Sequence, residues 1–550
     1  MFGRWRALVV LGAAQFLMVL DQAVMNVSIS QLTEDFDTTV TTIQGIITAY
    51  ALVMAATMMI GAKLTDIIGR RRAFRIGLVI YGAGSALTAA SWNIGTLLLG
   101  WSVLEGLGAA LVLPSLVTLI ASNHTGRDRG IAFGVIGGVA GVGIAAGPII
   151  GGYFTANLSW RWVFVGEVIL AVLIVLGSRW IGDATSEARR PDFDAVGALL
   201  SASGLGLVVI GLLQAGTWGF VEPKNSPIEP LGFSLAPFVV LAGGVVLWCF
   251  TWWETRRESR GVDPLVRLGL LSNAPLRAGL SSFLTQSVIL LGVFFILPLY
   301  LQIVLGLDAL DTGIRMLPIS IAMFITSSIG PGLSARFGVR RIVQAGFAID
   351  AVAAFFLIGT VGPDLDGVSF AVALTVLGVG MGLIASQLGN VVTSSVSAAD
   401  RGEAGGLQYT FQQLGSSIGT ALIGAVVVSA LVTAFVGNIG SDERITDRLT
   451  EDIEVSVAAG ASFVSSASVE EALIAAEIEP AQVEAVVEQY EEAQLDALRR
   501  GLLLAAFLAV ISLAVTRHLP TRIRTDEDDE DRDESRDEPV GPGDDHPVFS

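Results

Sequence analysis

Cysteine, lysine and histidine are nearly absent from these 550 residues: one cysteine, Cys249, two lysines, Lys63 and Lys224, and three histidines. A single cysteine excludes a disulfide scaffold, and within the apolar run 245–253 Cys249 reads as an inert small hydrophobe. His124 falls in a loop, and His518 and His546 in the C-terminal region. They form no His/Cys cluster, so zinc chemistry is unsupported and no metal is expected. No Gly-rich loop ends in Lys-Ser or Lys-Thr, and no Ser/His/Asp arrangement is visible. The chain therefore reads as neither ATP-driven nor an enzyme, with no cofactor. A cleavable signal peptide is also lacking, since the first apolar run is long, holds Asp21 and is followed by no small-residue cleavage site. The formal charge of −18 gives no basis for nucleic-acid binding.

Charge is scarce over long distances, and that scarcity dominates the chain. About 20 apolar helical residues cross a hydrocarbon core of about 30 Å. Such runs lie between Asp37 and Lys63, Arg75 and Glu105, Arg129 and Arg161, Asp194 and Glu222, and Glu229 and Glu254. Further runs separate Arg277 from Asp308, Arg315 from Arg336, Asp366 from Asp400, and Glu403 from Asp442. Others carry one lone carboxylate: Asp21, Glu105, Glu167 or Asp350. With the run after Arg500, the pattern predicts fourteen helices and an all-α integral membrane protein.

The acidity is local. Residues 441–500 hold 15 acidic and 4 basic residues, and residues 521–550 hold 12 and 4, which leaves the remainder near neutral. The last segment has too little apolar content to offset ordering entropy and reads as a disordered tail. With the N-terminus inside, 26 of the 33 Lys and Arg residues fall on the cytoplasmic side and 7 outside. This bias predicts a multi-pass protein of the cell membrane with both termini cytoplasmic.

One short pattern occurs twice. Asp66-Ile67-Ile68-Gly69-Arg70-Arg71-Arg72 follows the second run, and Ala335-Arg336-Phe337-Gly338-Val339-Arg340-Arg341 follows the tenth. Gly69 aligns with Gly338, and Arg71 and Arg72 with Arg340 and Arg341. Repeated halves rocking about a midplane site are a known basis of alternating access. The plainer reading is a positive turn marking the cytoplasmic side.

Four motifs carry a family resemblance. They are Leu20 to Val27, Ala62 to Arg72, the glycine series Gly134, Gly143, Gly147, Pro148, Gly151 and Gly152, and Arg401 to Gly406 with Gly415. Over nearly all of residues 1–520 the chain resembles the fourteen-span drug/proton antiporter branch of the major facilitator superfamily. The resemblance implies a major facilitator fold in a 6+2+6 arrangement: 1–182 as the first six-helix bundle, 195–256 as the inserted helices 7 and 8, and 276–436 with 498–517 as the second bundle. Residues 437–497 form an acidic extracytoplasmic helical insertion, and 521–550 the tail. The implied function is proton-coupled export of amphipathic or cationic small molecules, a multidrug-type efflux. Export of one endogenous metabolite or lipid is a second reading, and a membrane receptor or scaffold using the external insertion a third. Substrate, protons and the lipid bilayer are the implied partners. The family's helix 4 arginine is Ser102 here, and its glutamine is Glu105.

Site expectations follow. A charge at mid-helix costs about 2.5–3.5 kcal/mol on insertion scales, so a buried acid needs a cavity or a partner. Asp21 and Glu105 are the sharpest proton- or substrate-coupling pair, with Glu167 and Asp350 as weaker members. The resemblance implies a conformational latch at Asp66, Gly69, Arg70 and Arg71, repeated at Arg336, Arg340 and Arg341. Glycines at 134, 138, 143, 147 and 151 share a helical face where a second backbone can approach closely, and Pro148 can kink that helix. Candidate cavity residues are Gln22, Trp101, Gln286, Gln387 and Asn390, with Gln302, Gln408 and Gln412; Trp101 could offer an aromatic face to a substrate, although tryptophan in a membrane helix more often packs or anchors at the interface. In the insertion, Ser468-Val469-Glu470-Glu471 suggests a capping box. Pro480 opens a helix with Val483, Val486, Val487 and Tyr490 on one face, running toward helix 14. This subdomain could attract cations, gate exit, contact a protein partner, or be a tolerated insertion.

Overall fold

A computed structural model describes residues 2–27, 29–38, 40–182, 192–221, 223, 226–397, 400–460 and 463–521. The described residues are helical and carry no strand. The helices run in order α1 (Phe2–Val27), α2 (Ile29–Asp35), α3 (Val40–Ile68), α4 (Arg70–Ala89), α5 (Ile94–Leu97), α6 (Gly106–Asn123), α7 (Gly126–Asn157), α8 (Arg161–Gly177) and α9 (Ala195–Trp218). There follow α10 (Leu235–Glu258), α11 (Ala274–Pro298), α12 (Ala309–Phe337), α13 (Val339–Thr360), α14 (Gly367–Ser394), α15 (Arg401–Ser441), α16 (Asp447–Gly460), α17 (Ser466–Ala475) and α18 (Pro480–Val515). The π-helical segment Leu98–Glu105 joins α5 to α6, and a second, Leu299–Val304, ends α11.

Thirteen helical stretches among the described residues are long and apolar enough to cross a membrane. The helix α4 is not one of them, although its 20 residues reach about 30 Å. Arginines in its first turn lower its mean hydropathy. It is nonetheless an integral part of the bundle, packed against α6 and α8.

Burial divides into two large apolar clusters. One draws on residues from Ala7 to Ile181, the other on residues from Leu265 to Leu519 together with Ala198 and Phe250. Between them, α7 packs on α12 and α14, and α3 packs on α15. The pair α9 and α10 lies at the side of this seam, where α9 touches both α3 and α15.

The repeated turn is repeated in three dimensions. Gly69 has φ 95° and ψ 136°, and Gly338 has φ 86° and ψ 147°. Only glycine takes this backbone without strain. Two residues on, Arg71 Nε donates to the Ser178 carbonyl at 3.0 Å, and Arg340 Nε donates to the Leu519 carbonyl at 2.7 Å. Ser178 begins a 3-10 turn after α8, and Leu519 follows one after α18. The same glycine-arginine turn thus ties α4 to the end of α8 and α13 to the end of α18.

At the opposite end, α15 and α18 have 41 and 36 residues and extend well past what a bilayer needs. The Pro480 helix runs unbroken into the last apolar span. It buries Val483, Val486 and Tyr490 and leaves Val487 half-buried. Tyr490 packs edge-on to Phe435 and exchanges hydrogen bonds with the Val464 backbone, while Gln494 donates to the Val464 carbonyl at 2.6 Å. The cap of α17 differs from expectation. Its N-cap is Ser465, which accepts from Ser468 N at 3.2 Å, so the helix starts before the Ser468–Glu471 box. Hydrogen bonds from the Arg444 side chain and N–H hold the half-buried Asp442 carboxyl below the usual carboxylate range. A depressed carboxyl stabilises the fold above its unfolded value and loses that effect as pH falls through the folded one. The expected acidic tail, 522–550, lies outside the described residues.

Replacing Gly69 or Gly338 by alanine forces a side chain into a positive-φ region that costs about 1–3 kcal/mol. Thermal unfolding of the purified protein is expected to start several degrees lower for each variant. Unchanged midpoints would show that the turns relax freely.

Candidate functional site

Three carboxyl groups meet inside the first cluster. Asp21 of α1, Glu105 at the end of the π segment and Glu167 of α8 are at most 2% exposed, and each offers an oxygen within 4.8 Å of the other two. Their hydrogen-bond donors are all neutral. Trp101 Nε1 donates to Asp21 Oδ1 at 2.7 Å, and Thr88 Oγ1 donates to Glu105 Oε1 at 3.1 Å. Tyr81 Oη and Ser85 Oγ both donate to Glu167 Oε2, at 3.1 and 3.2 Å. The second oxygen of each acid, Asp21 Oδ2, Glu105 Oε2 and Glu167 Oε1, has no partner. No ion pair to any of the three exists among the described residues.

Local sequence explains the convergence. Gly84 and Gly100 have no side chain, so α4 and the π segment touch backbone to backbone, and a Cβ on Gly84 would sit 2.7 Å from Glu105 Cγ. The π turn, a feature that recurs at functional sites, carries both Trp101 and Glu105. Trp101 stacks flat on Tyr50 of α3, with centroids 4.8 Å apart and planes within 3°. Ser102, in place of the family's arginine, donates to the Ile46 carbonyl at 2.8 Å and adds no charge.

The fourth expected acid stands apart. Asp350 on α13 is buried against Gly380 of α14, and neither of its carboxyl oxygens has a partner. Most cavity candidates are occupied by packing in this conformation. Trp101 is 1% exposed and covered by Tyr50, so its face is not offered to a substrate. Gln286 donates to the Met381 carbonyl, Gln387 to Ser386, and Asn390 accepts from Arg129. Gln22 is exposed and reaches Met54 Sδ at 3.4 Å, Gln302 and Gln412 are partly exposed, and Gln408 is buried with its carbonyl oxygen unpartnered. Across the seam, Tyr409 Oη donates to Gln15 Oε1 at 3.2 Å.

A second polar cluster closes the arginine-rich end. Asp66 presses on Gly402 at the N-terminus of α15, where a helix dipole favours an anion. Lys63, 2% exposed, donates to the Pro264 carbonyl at 2.6 Å and lies 3.8 Å from Glu403. Arg267 donates its N–H to Glu403 Oε2 at 2.9 Å and pairs through its side chain with Asp400. Pro264 and Arg267 belong to the loop after α10, and Arg257 of α10 bonds the Asp263 carbonyl and Asp194. The loop after α10 therefore reaches into the contact between α3 and α15. Arg129 of α7 adds a further tie, to Asn390 and Ser394 of α14. Arg70 is among the cations facing Asp66. Arg71 and Arg340 serve their own repeats, as described, while Arg336 lies over Phe337 and Arg341 is exposed. Sequence reasoning missed Lys63, Arg267 and Arg129, which act across more than a hundred residues. The rarity of lysine was the one available signal.

Six glycines of α7 divide between two partners, while Gly137 faces Ala385 of α14. Gly134, Gly138 and Gly141 meet Ser327, Phe324 and Met323 of α12, whereas Gly143, Gly147 and Gly151 meet Val19, Ala23 and Val24 of α1. Pro148 does not break the helix and packs toward Gly313 at the start of α12. Gly152 is buried.

Breaking a buried charge pair by removing one partner costs about 3–5 kcal/mol. Lys63→Met should therefore loosen the arginine-rich end. With Cys249 replaced by serine, spin labels at the exposed positions of Arg72 and Arg341 are expected to move apart relative to the parent. An unchanged distance distribution would mean the pair does not hold the two sides together.

The sequence profile of the Major Facilitator Superfamily matches residues 11–420. The probable actinorhodin transporter of Streptomyces coelicolor is 29% identical, over 95% of this chain and 93% of its own. The puromycin resistance protein pur8 of Streptomyces alboniger is 31% identical, covering 80% and 85%. The multidrug efflux pump LfrA of Mycolicibacterium smegmatis is 29% identical, covering 77% and 80%. Among solved structures, the human organic anion transporter MFSD10 superposes with a TM-score of 0.56 at 12% identity, covering 94% of this chain and 99% of that one. An all-helical bundle of about thirteen membrane-length helices, a repeated glycine-arginine turn and this profile together place the chain in the major facilitator superfamily of multi-pass membrane transporters.

Proposed function

We propose that this transporter is a proton-driven exporter of amphipathic or cationic small molecules, working by alternating access. The carrying observation is the Asp21–Glu105–Glu167 cluster, buried without a cation. Two unit charges 4.8 Å apart repel by about 3.5 kcal/mol at an effective dielectric of about 20. Three such groups cannot all be ionised in a closed apolar interior, so the closed state holds protons among them. Opening admits water and releases them. The cluster sits behind the seam and not in it, which separates the proton site from the substrate surface between the halves.

On this reading α4 is the fourteenth span, the halves stand as 6+2+6, and the arginine-rich end faces the cytoplasm with both termini. Asp66, Gly69, Arg70 and Arg71, together with Lys63, Arg267 and Glu403, form the cytoplasmic latch, and Arg336, Arg340 and Arg341 brace the second half. Asp21 and Glu167 each lie six residues from the outer ends of their helices, within reach of external protons. Asp350 is a separate neutral carboxyl in helix packing. The names of several relatives concern antibiotic export or resistance, which supports a small-molecule cargo over a receptor or scaffold. Because relatives are named for single compounds, actinorhodin and puromycin among them, a dedicated exporter of one product is the second reading.

In proteoliposomes with an imposed pH gradient, the wild type is expected to move a lipophilic dye cation in a protonophore-sensitive way. Asp21→Asn, Glu105→Gln and Glu167→Gln should each slow gradient-driven transport by about tenfold or more. Wild-type rates in Asp21→Asn and Glu105→Gln would end the proposal. A panel in which one chemical scaffold alone moves would select the second reading.

A further inference from the structure

The same cluster has features that proton binding does not require. Three carboxyl groups come from three separate elements, α1, the π segment and α8, and each keeps one oxygen without a partner. A fourth oxygen belongs to α3. Tyr50 is 3% exposed, and its hydroxyl lies beside Asp21, close enough to interact with that carboxyl but without a hydrogen bond of ordinary geometry. The hydroxyl is a neutral phenol, not a member of the acid set, and it is held there by the flat stack of Tyr50 on Trp101. Every unpartnered atom of this group is oxygen, and the donors already present, Trp101, Tyr81, Ser85 and Thr88, occupy the other oxygen of each acid.

We infer that Asp21, Glu105, Glu167 and Tyr50 form a site for a hard, oxygen-seeking cation that competes there with protons. Calcium takes oxygen ligands at about 2.3–2.6 Å, so ligands on opposite sides of one ion lie about 4.6–5.2 Å apart. One oxygen from each of the three carboxyls lies within 4.8 Å of the other two, inside that outer limit, so the set is compact enough to converge on one ion. Soft or borderline metals are disfavoured, since the set has no sulfur or imidazole. Magnesium is disfavoured because it keeps several waters, and these carboxyls are enclosed. Neutrality selects the proton count. A monovalent ion such as sodium leaves two of the three carboxyls protonated, and calcium leaves one. The titratable groups facing the site are Asp21, Glu105 and Glu167 themselves with Tyr50 and Tyr81. A search for His and Cys spacing does not see such a set, which is why no metal was expected from sequence.

This inference rests on the cluster being the coupling site but is tested separately from transport. Thermal unfolding of the purified full chain is followed at pH 8 and pH 6 in sodium, calcium, potassium or choline chloride at matched ionic strength. Ligand binding to the folded state alone should raise the wild-type midpoint by about 3 °C or more in sodium or calcium at pH 8. Potassium and choline should leave it unmoved, and the shift should shrink at pH 6 as protons fill the same oxygens. A shift in sodium assigns a monovalent site and one in calcium alone a divalent site. Tyr50→Phe, which keeps the stack on Trp101, and Glu167→Gln should each remove most of the shift. No cation-selective shift in the wild type overturns the inference, as does a full shift in both variants. Protonophore-sensitive dye transport in choline buffer with no cation effect would leave the proton mechanism standing and remove only this site. Loss of all gradient-driven transport would instead remove the function proposed above.

Discussion

A charge inside a bilayer-thick bundle must find water, an opposite charge or a proton, and this requirement arranges almost everything else in the chain. It sends most of the arginines to one end, where carbonyls and carboxylates receive them. It leaves the spans uncharged over most of their length. Where acids persist inside, it groups Asp21, Glu105 and Glu167 so that they share hydroxyl and indole donors. The cost of burying carboxyl groups is several kcal/mol each without compensation. Their concentration in one place is the clearest mark of work done there.

Close backbone contact is the second organising element. Glycines at 84 and 100 bring α4 and the π segment together, which is what lets Glu105 reach the other acids. The glycines of α7 perform two tasks along one helix. The first three let α12 approach, and the next three hold α1. One helix thus makes close backbone contact on both sides of the seam. The pair α9 and α10 adds a brace, because its following loop supplies Pro264 and Arg267 to the contact between α3 and α15.

Much of this was legible in the sequence, and the reasons are physical. Uncharged runs mark spans because lipid admits no unpaired charge, so the helix count came close. The exception, Arg70–Ala89, shows the limit, since arginines that belong to a loop contact sit on a helix that packs within the bundle. The Gly69 and Gly338 turns were visible as a repeat because a positive φ demands the same residue twice. Glu167 and Asp350 looked alike, each a lone acid in an apolar run. Only the tertiary structure separates them, one joining Asp21 and Glu105 and the other facing Gly380. Trp101 could be read as a surface for cargo or as packing; its burial and its indole N–H bond to Asp21, a partner 80 residues away, favour packing in this conformation.

The length of α15 and α18 has a mechanical consequence. At 1.5 Å per residue, the 41 residues of α15 span about 60 Å, roughly twice the hydrocarbon core. It is clasped to α18 through Phe435, Tyr490 and Asn438, so the two form a stiff mast rooted in the second apolar cluster. On the proposed alternating-access cycle, a tilt of about 10° would sweep the tip of a mast standing about 25 Å clear of the surface by about 4 Å. A small tilt deep among the spans is thereby magnified into a displacement at the periphery, where a fluorescent tag could report each turnover as it happens.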